Sequence, residues 1–268
     1  MTTRRHFIAA GAAALSHAMI ARVANAQSAP ASAGPVDPAL IDDLVAANRI
    51  LVDQGVVDGY GHVSVRHPGD LQRYLMSRSI APELVTAADI MEYDLDSTAV
   101  DPRGRTSYLE RFIHGEIYRA RPDVKAVVHN HSPSVIPFGV STVPLKPLYH
   151  MSAFLGGGVP VFDIKAAAGG PTDMLVRNAA LGRALATTLG ARPVALMRGH
   201  GCVVVGPAIQ MTVFRSVYTE MNARLQAQAM ALGAVTYLDD EEARLAGGSV
   251  GGTVVRPWEL WRKKALAR

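Results

Sequence analysis

His129 and His131 flank Asn130 at the end of the apolar run Ala126-Val127-Val128. On an extended strand, residues two apart project from the same face, so both imidazoles can address one point while Asn130 turns away. Neutral imidazole is a common ligand for zinc and similar ions, and a strand holds it more rigidly than a loop. The same pair can equally be two solvated histidines at a strand end. A third histidine, His200, stands between Gly199 and Gly201, whose backbone freedom lets its ring approach a site closely. It can also be a turn residue with no partner. Three such histidines would leave an open metal position for water or substrate, as catalytic centres require.

These residues need elements to hold them. The stretch from Ser107 reads as an amphipathic helix running into a strand, with Leu109, Phe112, Ile113 and Ile117 as its buried stripe. Ser107-x-x-Glu110 has the pattern of a capping box at its start, a purely structural use for Glu110. The strand bearing His129 and His131 follows. Residues 193–206 read as two strands joined by the Gly-His-Gly turn. Upstream, Asp37-Pro38 opens a helix that Gly55 stops. Val63 to Arg66 alternates like a half-buried strand, residues 73–80 form its hairpin partner, and short extended segments follow at Ile90–Tyr93 and Ala99–Val100. Downstream, a short helix is expected between Pro147 and Pro160. A strand at Val161–Ile164, a helix over Thr172–Leu189 and a long helix over Ile209–Leu232 complete the pattern. The last thirty residues are Gly-rich and end in Pro257-Trp258-Glu259-Leu260-Trp261. Antiparallel strands flanked by helices imply a three-layer α/β fold.

Composition sets the bounds. The chain has 268 residues, 49% hydrophobic and 19% charged, which describes one globular domain with a substantial core. Residues 1–26 are expected to be a twin-arginine export signal: Arg4-Arg5, a short alanine-rich apolar stretch, then Ala24-Asn25-Ala26 as the cleavage site. The apolar stretch is too short and alanine-rich to span a bilayer. A periplasmic protein cut near Ala26 is the expectation. The signal holds Arg4, Arg5 and Arg22 and no acid, so the formal charge of +4 falls to +4 − 3 = +1 in the mature chain. With no basic stripe, the charge gives no reason to expect nucleic acid as a partner. Cys202 is the single cysteine, so an intrachain disulfide is impossible. Residues 27–36 read as a flexible linker, 37–245 as the catalytic domain and 246–268 as its C-terminal tail.

The order G-H-V-S-V-R (61–66), E-R-F (110–112), R-P-D (121–123), A-V-V-H-N-H (126–131) and R-G-H-G (198–201) resembles the class II aldolase/adducin domain family. The resemblance covers about residues 38–240. It implies a three-layer α/β/α sandwich around a central, mainly antiparallel sheet. It also implies a homotetramer with the active site between subunits. A divalent ion would be held by His129, His131 and His200, with zinc (Zn2+) first and Mn2+, Fe2+ or Co2+ as further candidates. Glu110 matches the family's acidic residue, which serves as catalytic base and can also touch the metal. Adducin-like members that lack the histidines are non-catalytic; this chain keeps them.

Departures from the family's sugar-phosphate pattern bear on the substrate. Phosphate-using members carry G-N-x-S where this chain has Gly61-His62-Val63-Ser64, T-G where Arg78-Ser79 aligns, and a serine pair where Tyr108-Leu109 stands. Small hydroxyls, an amide and backbone N–H groups suit a phosphate dianion, and here they are largely replaced. Arg78 offers a planar fork for a carboxylate, or is a surface arginine on a hairpin. His62 is either a donor in the pocket or a cap on the glycine-rich turn. His62, Ser64, Arg78, Ser79 and Tyr149 are therefore the substrate-binding candidates. Where phosphate-using aldolases carry a proton-donating tyrosine, His150 aligns, or Tyr149 if the match slips by one. His150 can instead be a buried histidine bonded to a carbonyl.

The leading expectation is a metal-dependent carbon–carbon lyase. Its substrate would be a small unphosphorylated, carboxylate-bearing hydroxy-carbonyl or hydroxyaromatic compound. Decarboxylation of a hydroxy acid is the alternative to aldol cleavage within that class. A non-haem iron oxygenase is a second class, less suited to three histidines than to a two-histidine, one-carboxylate set. A metal-binding protein without turnover is the third.

Overall fold

The computed structural model describes residues 30–267, so the expected export signal and the start of the linker lie outside the described residues. The remainder of that linker, 30–36, has no helix or strand but lies against the sheet. Ser32 Oγ and the Ala33 N–H both donate to the Glu92 carboxylate, at 2.6 and 2.8 Å.

Asp37 opens α1 (Pro38–Asp53) as its sequence suggests, accepting a hydrogen bond from the Ala39 N–H at 2.9 Å while Pro38 takes the first helical position. Then come β1 (His62–Arg66), β2 (Arg73–Ser77) and β3 (Ile90–Asp94), with Ala99 adding an isolated bridge to Tyr93. α2 (Phe112–Ala120) leads into β4 (Ala126–Asn130), followed by the short α3 (Ile136–Val140) and a tight helical turn at His150–Leu155. β5 (Val161–Phe162), α4 (Ile164–Ala168) and α5 (Ala179–Leu189) precede the hairpin of β6 (Val194–Met197) and β7 (Gly201–Gly206). α6 (Ile209–Leu232), α7 (Asp240–Gly251) and α8 (Val255–Leu266) close the chain.

Among the described residues seven strands form one sheet in the order β3-β2-β1-β4-β7-β6-β5, antiparallel except for the β5/β6 pair. The pleat sends Val63, Val65, Val128 and Val204 to one face, where they pack with α1, α6 and α8. It sends Tyr74, Val127, Val203 and Val205 to the other, under α2 and α5. Each face has its own apolar core, and the result is the expected three-layer sandwich around a mainly antiparallel sheet. Among the described residues no helix is long and apolar enough to cross a membrane.

Four local expectations differ. The helix expected from Ser107 begins at Phe112, because residues 109–111 form a turn. Ser107 accepts a hydrogen bond from the Tyr93 hydroxyl, so no capping box forms, and Leu109 is 57% exposed instead of buried. The helix expected over Thr172–Leu189 begins at Ala179, where the Asn178 side chain caps the Leu181 N–H. The strand expected through Ile164 ends at Phe162, and Asp163 caps α4 instead. The Gly-rich end contains α7 and α8, so a tail starting at residue 246 would divide α7. Small residues allow that packing: a Cβ on Gly156 would lie 2.7 Å from the Ala243 Cβ of α7. Trp258 and Trp261 anchor α8 in the core, each contributing about 2 kcal/mol or more by burial.

Candidate functional site

β4 carries His129 at its open end, with His131 just beyond it on the same face. β7 lies alongside, and His129 sits opposite Val203. The turn between β6 and β7 brings His200 across. Gly199 adopts φ +64°, a left-handed conformation, and a Cβ on Gly201 would fall 2.0 Å from the Asn130 carbonyl oxygen. Only glycine at 201 lets the two strand ends come this close.

Glu110 comes from the turn before α2, and the ligand atoms of Glu110, His129, His131 and His200 lie within 4.8 Å of one another. His200 Nε2 is 3.0 Å from His131 Nε2, and Glu110 Oε2 is 3.4 Å from His200 Nε2 and 3.5 Å from His129 Nε2. The outer contacts set the protons. His129 Nδ1 donates to the Cys202 carbonyl at 3.2 Å and His200 Nδ1 to the Met174 carbonyl at 2.9 Å. That leaves both Nε2 lone pairs aimed inward, the arrangement metal-bound histidines adopt. His129 Nε2 is fully buried and, among the described residues, has no hydrogen-bond partner. Converging lone pairs, one of them orphaned, fit a cation at their centre, with a carboxylate to balance its charge.

Burial pushes the Glu110 carboxyl up, but positive charge among the neighbouring histidines, from protons on His129 and His200 when no cation holds them, outweighs it and keeps the carboxyl well below the usual carboxylate range; a cation bound between their lone pairs would act in the same direction. Glu110 is therefore ionised. Burial and the other two histidines hold His131 down to about 4, which favours its neutral, ligating form. Glu110 Oε1 also accepts from the Val176 N–H at 2.9 Å. The non-helical segment before α5 thus supports two members of the cluster, Glu110 through Val176 and His200 through Met174.

A cavity of 490 Å³ opens onto this cluster. Tyr60, Ile80, Tyr108, Leu109 and Leu175 form its walls, with Ser79 and His62 beside them. Among the described residues no lysine or arginine lines it. A larger cavity of 680 Å³, around Arg121, Val205, Gly206 and Arg215, lies at the opposite end of β4 and β7 and holds none of the cluster.

The expected substrate residues divide. His62 and Ser79 line the cavity. Ser64 does not: it is fully buried behind His62 and bonded to His114 and Tyr118, because β1 passes under α2 at that point. Arg78 lies outside the lining, and its Nε is engaged by Asp89 Oδ1 at 2.6 Å. The carboxylate it was expected to clamp is thus supplied by the chain itself. Tyr149 and His150 line no part of this cavity. Among the described residues His150 is exposed, has no carbonyl partner and borders a separate cleft with Tyr218 and Arg256, while the Tyr149 hydroxyl is buried without a partner. Within one chain neither meets the cluster.

Sequence reasoning missed the Tyr60, Tyr108, Ile80, Leu109 and Leu175 walls and the buried His114. Leu109, read as helix core, was the misleading signal. Tyr108 was visible only as a departure from the serine pair.

Comparison with known proteins agrees with this geometry. Residues 42–227 match the Class II Aldolase and Adducin N-terminal domain. The chain is 38% identical over 240 residues to decarboxylase tropJ of Talaromyces stipitatus, covering 81% of this chain and 90% of that one. It is 30% identical over 209 residues to the 3,4-dihydroxyphthalate decarboxylase of Rhodococcus jostii, covering 74% and 82%. In fold it matches the L-fuculose 1-phosphate aldolase of Glaciozyma antarctica, with a TM-score of 0.71 and 23% identity over 87% of this chain and 94% of that one.

Proposed function

The chain belongs to the class II aldolase and adducin family, and from that premise we propose that it is a metal-dependent decarboxylase of a small hydroxyaromatic acid. The observation that carries this reading is the cavity wall. Tyrosines and aliphatic side chains surround the histidine cluster, and among the described residues no lysine or arginine lines the cavity to neutralise a phosphate. Such walls suit a planar ring better than a sugar phosphate. The similarity to two decarboxylases, one named for a dihydroxylated aromatic diacid, supports the same choice over aldol cleavage.

His129, His131 and His200 would hold the ion, which we propose to be zinc. When bound, the ion supplies Lewis acidity to the substrate oxygens. The residues of the chain do the rest. The cavity walls, Leu109, Ile80 and Leu175 among them, orient the ring. Glu110, ionised beside the cluster, takes the proton of the substrate hydroxyl. The bond between ring and carboxylate then breaks, carbon dioxide leaves, and the electron pair stays on the ring carbon. Glu110 returns its proton to that carbon, and the phenolate product takes one proton from water. Carboxylate and proton go in, carbon dioxide and hydroxyarene come out, and the balance closes.

The test is to incubate zinc-loaded protein with a panel of ortho-hydroxybenzoates, 3,4-dihydroxyphthalate among them, and with aliphatic hydroxy acids. Release of carbon dioxide from the aromatic acids supports the reading. An aldehyde product would move the protein to aldol cleavage, and iron content with oxygen uptake would favour the oxygenase class. We further propose a homotetramer, which would let Tyr149 or His150 approach a neighbouring site, and export to the periplasm. Light scattering and cell fractionation test these.

A further inference from the structure

Behind His62 the cavity wall continues inward as a chain of buried polar groups. His62 Nδ1 lies 2.6 Å from His114 Nε2, His114 Nδ1 lies 2.6 Å from Ser64 Oγ, and Ser64 Oγ lies 2.8 Å from the Tyr118 hydroxyl. His114 and Ser64 are fully buried and Tyr118 is 1% exposed. Two elements supply alternate links. His62 and Ser64 share one face of β1, and His114 and Tyr118 are four residues apart on α2, hence on one helix face.

Proton counting gives this chain a direction. A neutral imidazole carries one N–H and one lone pair, and each contact uses one proton. In one arrangement Tyr118 donates to Ser64, Ser64 to His114 Nδ1, and His114 Nε2–H to His62 Nδ1. His62 must then carry its own proton on Nε2. In the reverse arrangement every donor turns round, and the Tyr118 proton needs an acceptor beyond Ser64. Among the described residues Ser64 is the one hydrogen-bond partner of the Tyr118 hydroxyl, so no such acceptor is present. The first arrangement satisfies every buried group. Among the described residues His62 Nε2 has no hydrogen-bond partner, and it is not among the fully buried orphan atoms, so it is the ring nitrogen left to the cavity.

We propose that His114, Ser64 and Tyr118 are positioning residues that lock His62 in its Nε2–H tautomer, presenting a fixed neutral donor to a carboxylate or phenolate oxygen of the bound acid. The identity of that acid rests on the decarboxylase reading; the tautomer does not. Charge is kept out of the chain. Burial, with His129 nearby, pushes His114 down to about 3, and burial raises the Tyr118 phenol well above its ordinary range. The chain therefore orients His62 without delivering a net proton. A donor of fixed sense favours ligands with an acceptor oxygen at that point and disfavours those presenting a second donor.

The experiment is 15N NMR of zinc-loaded protein labelled at histidine, with salicylate as the probe ligand. Wild type should show both His62 and His114 protonated on Nε2, and salicylate should shift the His62 Nε2 resonance. Ser64→Ala should give a tautomer mixture at His62 and weaken salicylate about tenfold, the loss expected for one oriented hydrogen bond to a charged group. Zinc content should not change, and Ser64→Thr, which keeps the hydroxyl, should restore both readouts. A wild-type His62 protonated on Nδ1, or an unchanged tautomer in Ser64→Ala, overturns the lock. A salicylate complex that leaves His62 Nε2 unshifted overturns its role as ligand donor. Absence of carbon dioxide release from every hydroxyaromatic acid overturns the decarboxylase reading and leaves the tautomer result standing.

Discussion

His200 Nε2 faces His131 Nε2 at 3.0 Å, from an element 69 residues later in the chain. His200 Nδ1–H is committed to the Met174 carbonyl, so the His200 lone pair points straight at its neighbour. Two imidazole nitrogens hold such a position with a proton or a cation between them. Replacing His131 with Ala should lower bound zinc by more than about tenfold at equal free metal, the scale on which even supporting contacts around a metal act. Metal analysis after dialysis checks this, and unchanged stoichiometry would remove His131 from the ligand set.

Glu110→Gln keeps the shape of the side chain and can still accept from the Val176 N–H, but it cannot take a proton. Turnover should fall by about 10²- to 10⁴-fold, the usual contribution of a positioned acid–base group, while zinc stays bound. Full activity in this variant would take Glu110 out of the mechanism.

Arg78→Ala separates a clamp from a structural pair. Because Arg78 Nε is held by Asp89 at the edge of the fold, the KM for aromatic acids should stay within about twofold of wild type, and stability should drop by about 1 kcal/mol or less. Burial raises the Asp89 carboxyl, but hydrogen bonds from Thr86 and Arg78 outweigh it and depress it below its ordinary value of 3.8. A depressed carboxylate contributes stability above its unfolded pKa and loses it as pH falls through the folded one. The difference between Arg78→Ala and wild type should therefore be present at pH 7 and shrink below about pH 4, as urea melts at the two pH values will record. A selective rise in KM would restore the clamp.

Gly201→Ala tests the close approach of β7 to the end of β4. The added Cβ would sit 2.0 Å from the Asn130 carbonyl oxygen, so the backbone must shift. A loss of about 3 kcal/mol is expected, at the upper end for a single substitution, together with weakened zinc binding. Denaturant unfolding with and without zinc measures both, and a wild-type melt would show that the strands can separate freely there.

Local pattern alone made several features legible. Asp37-Pro38 starts α1 because a side-chain acceptor and a preset φ act within a few residues. The histidines at 129 and 131 share a face because a strand has a period of two. Ile209 to Gly233 reads as one helix with its stop. Each of these depends on covalent geometry and near neighbours, which the sequence displays directly. Glu110 was also visible, as a carboxylate at a motif position, although its surroundings were misread.

Only tertiary structure decided the rest. Ser107 and Glu110 fit a capping box by spacing, yet Ser107 is taken by Tyr93 and Glu110 by the histidines and Val176, contacts made across distant parts of the chain. Arg78 has the chemistry of a carboxylate clamp, and Asp89 occupies it. Ser64 has the chemistry of a phosphate contact, and the pleat of β1 turns it under α2 to meet His114. A side chain's type states what it can bind. Its partner is fixed by which long-range contacts satisfy buried polar groups at least cost, and that is settled only when the whole sheet and its two helical layers close together.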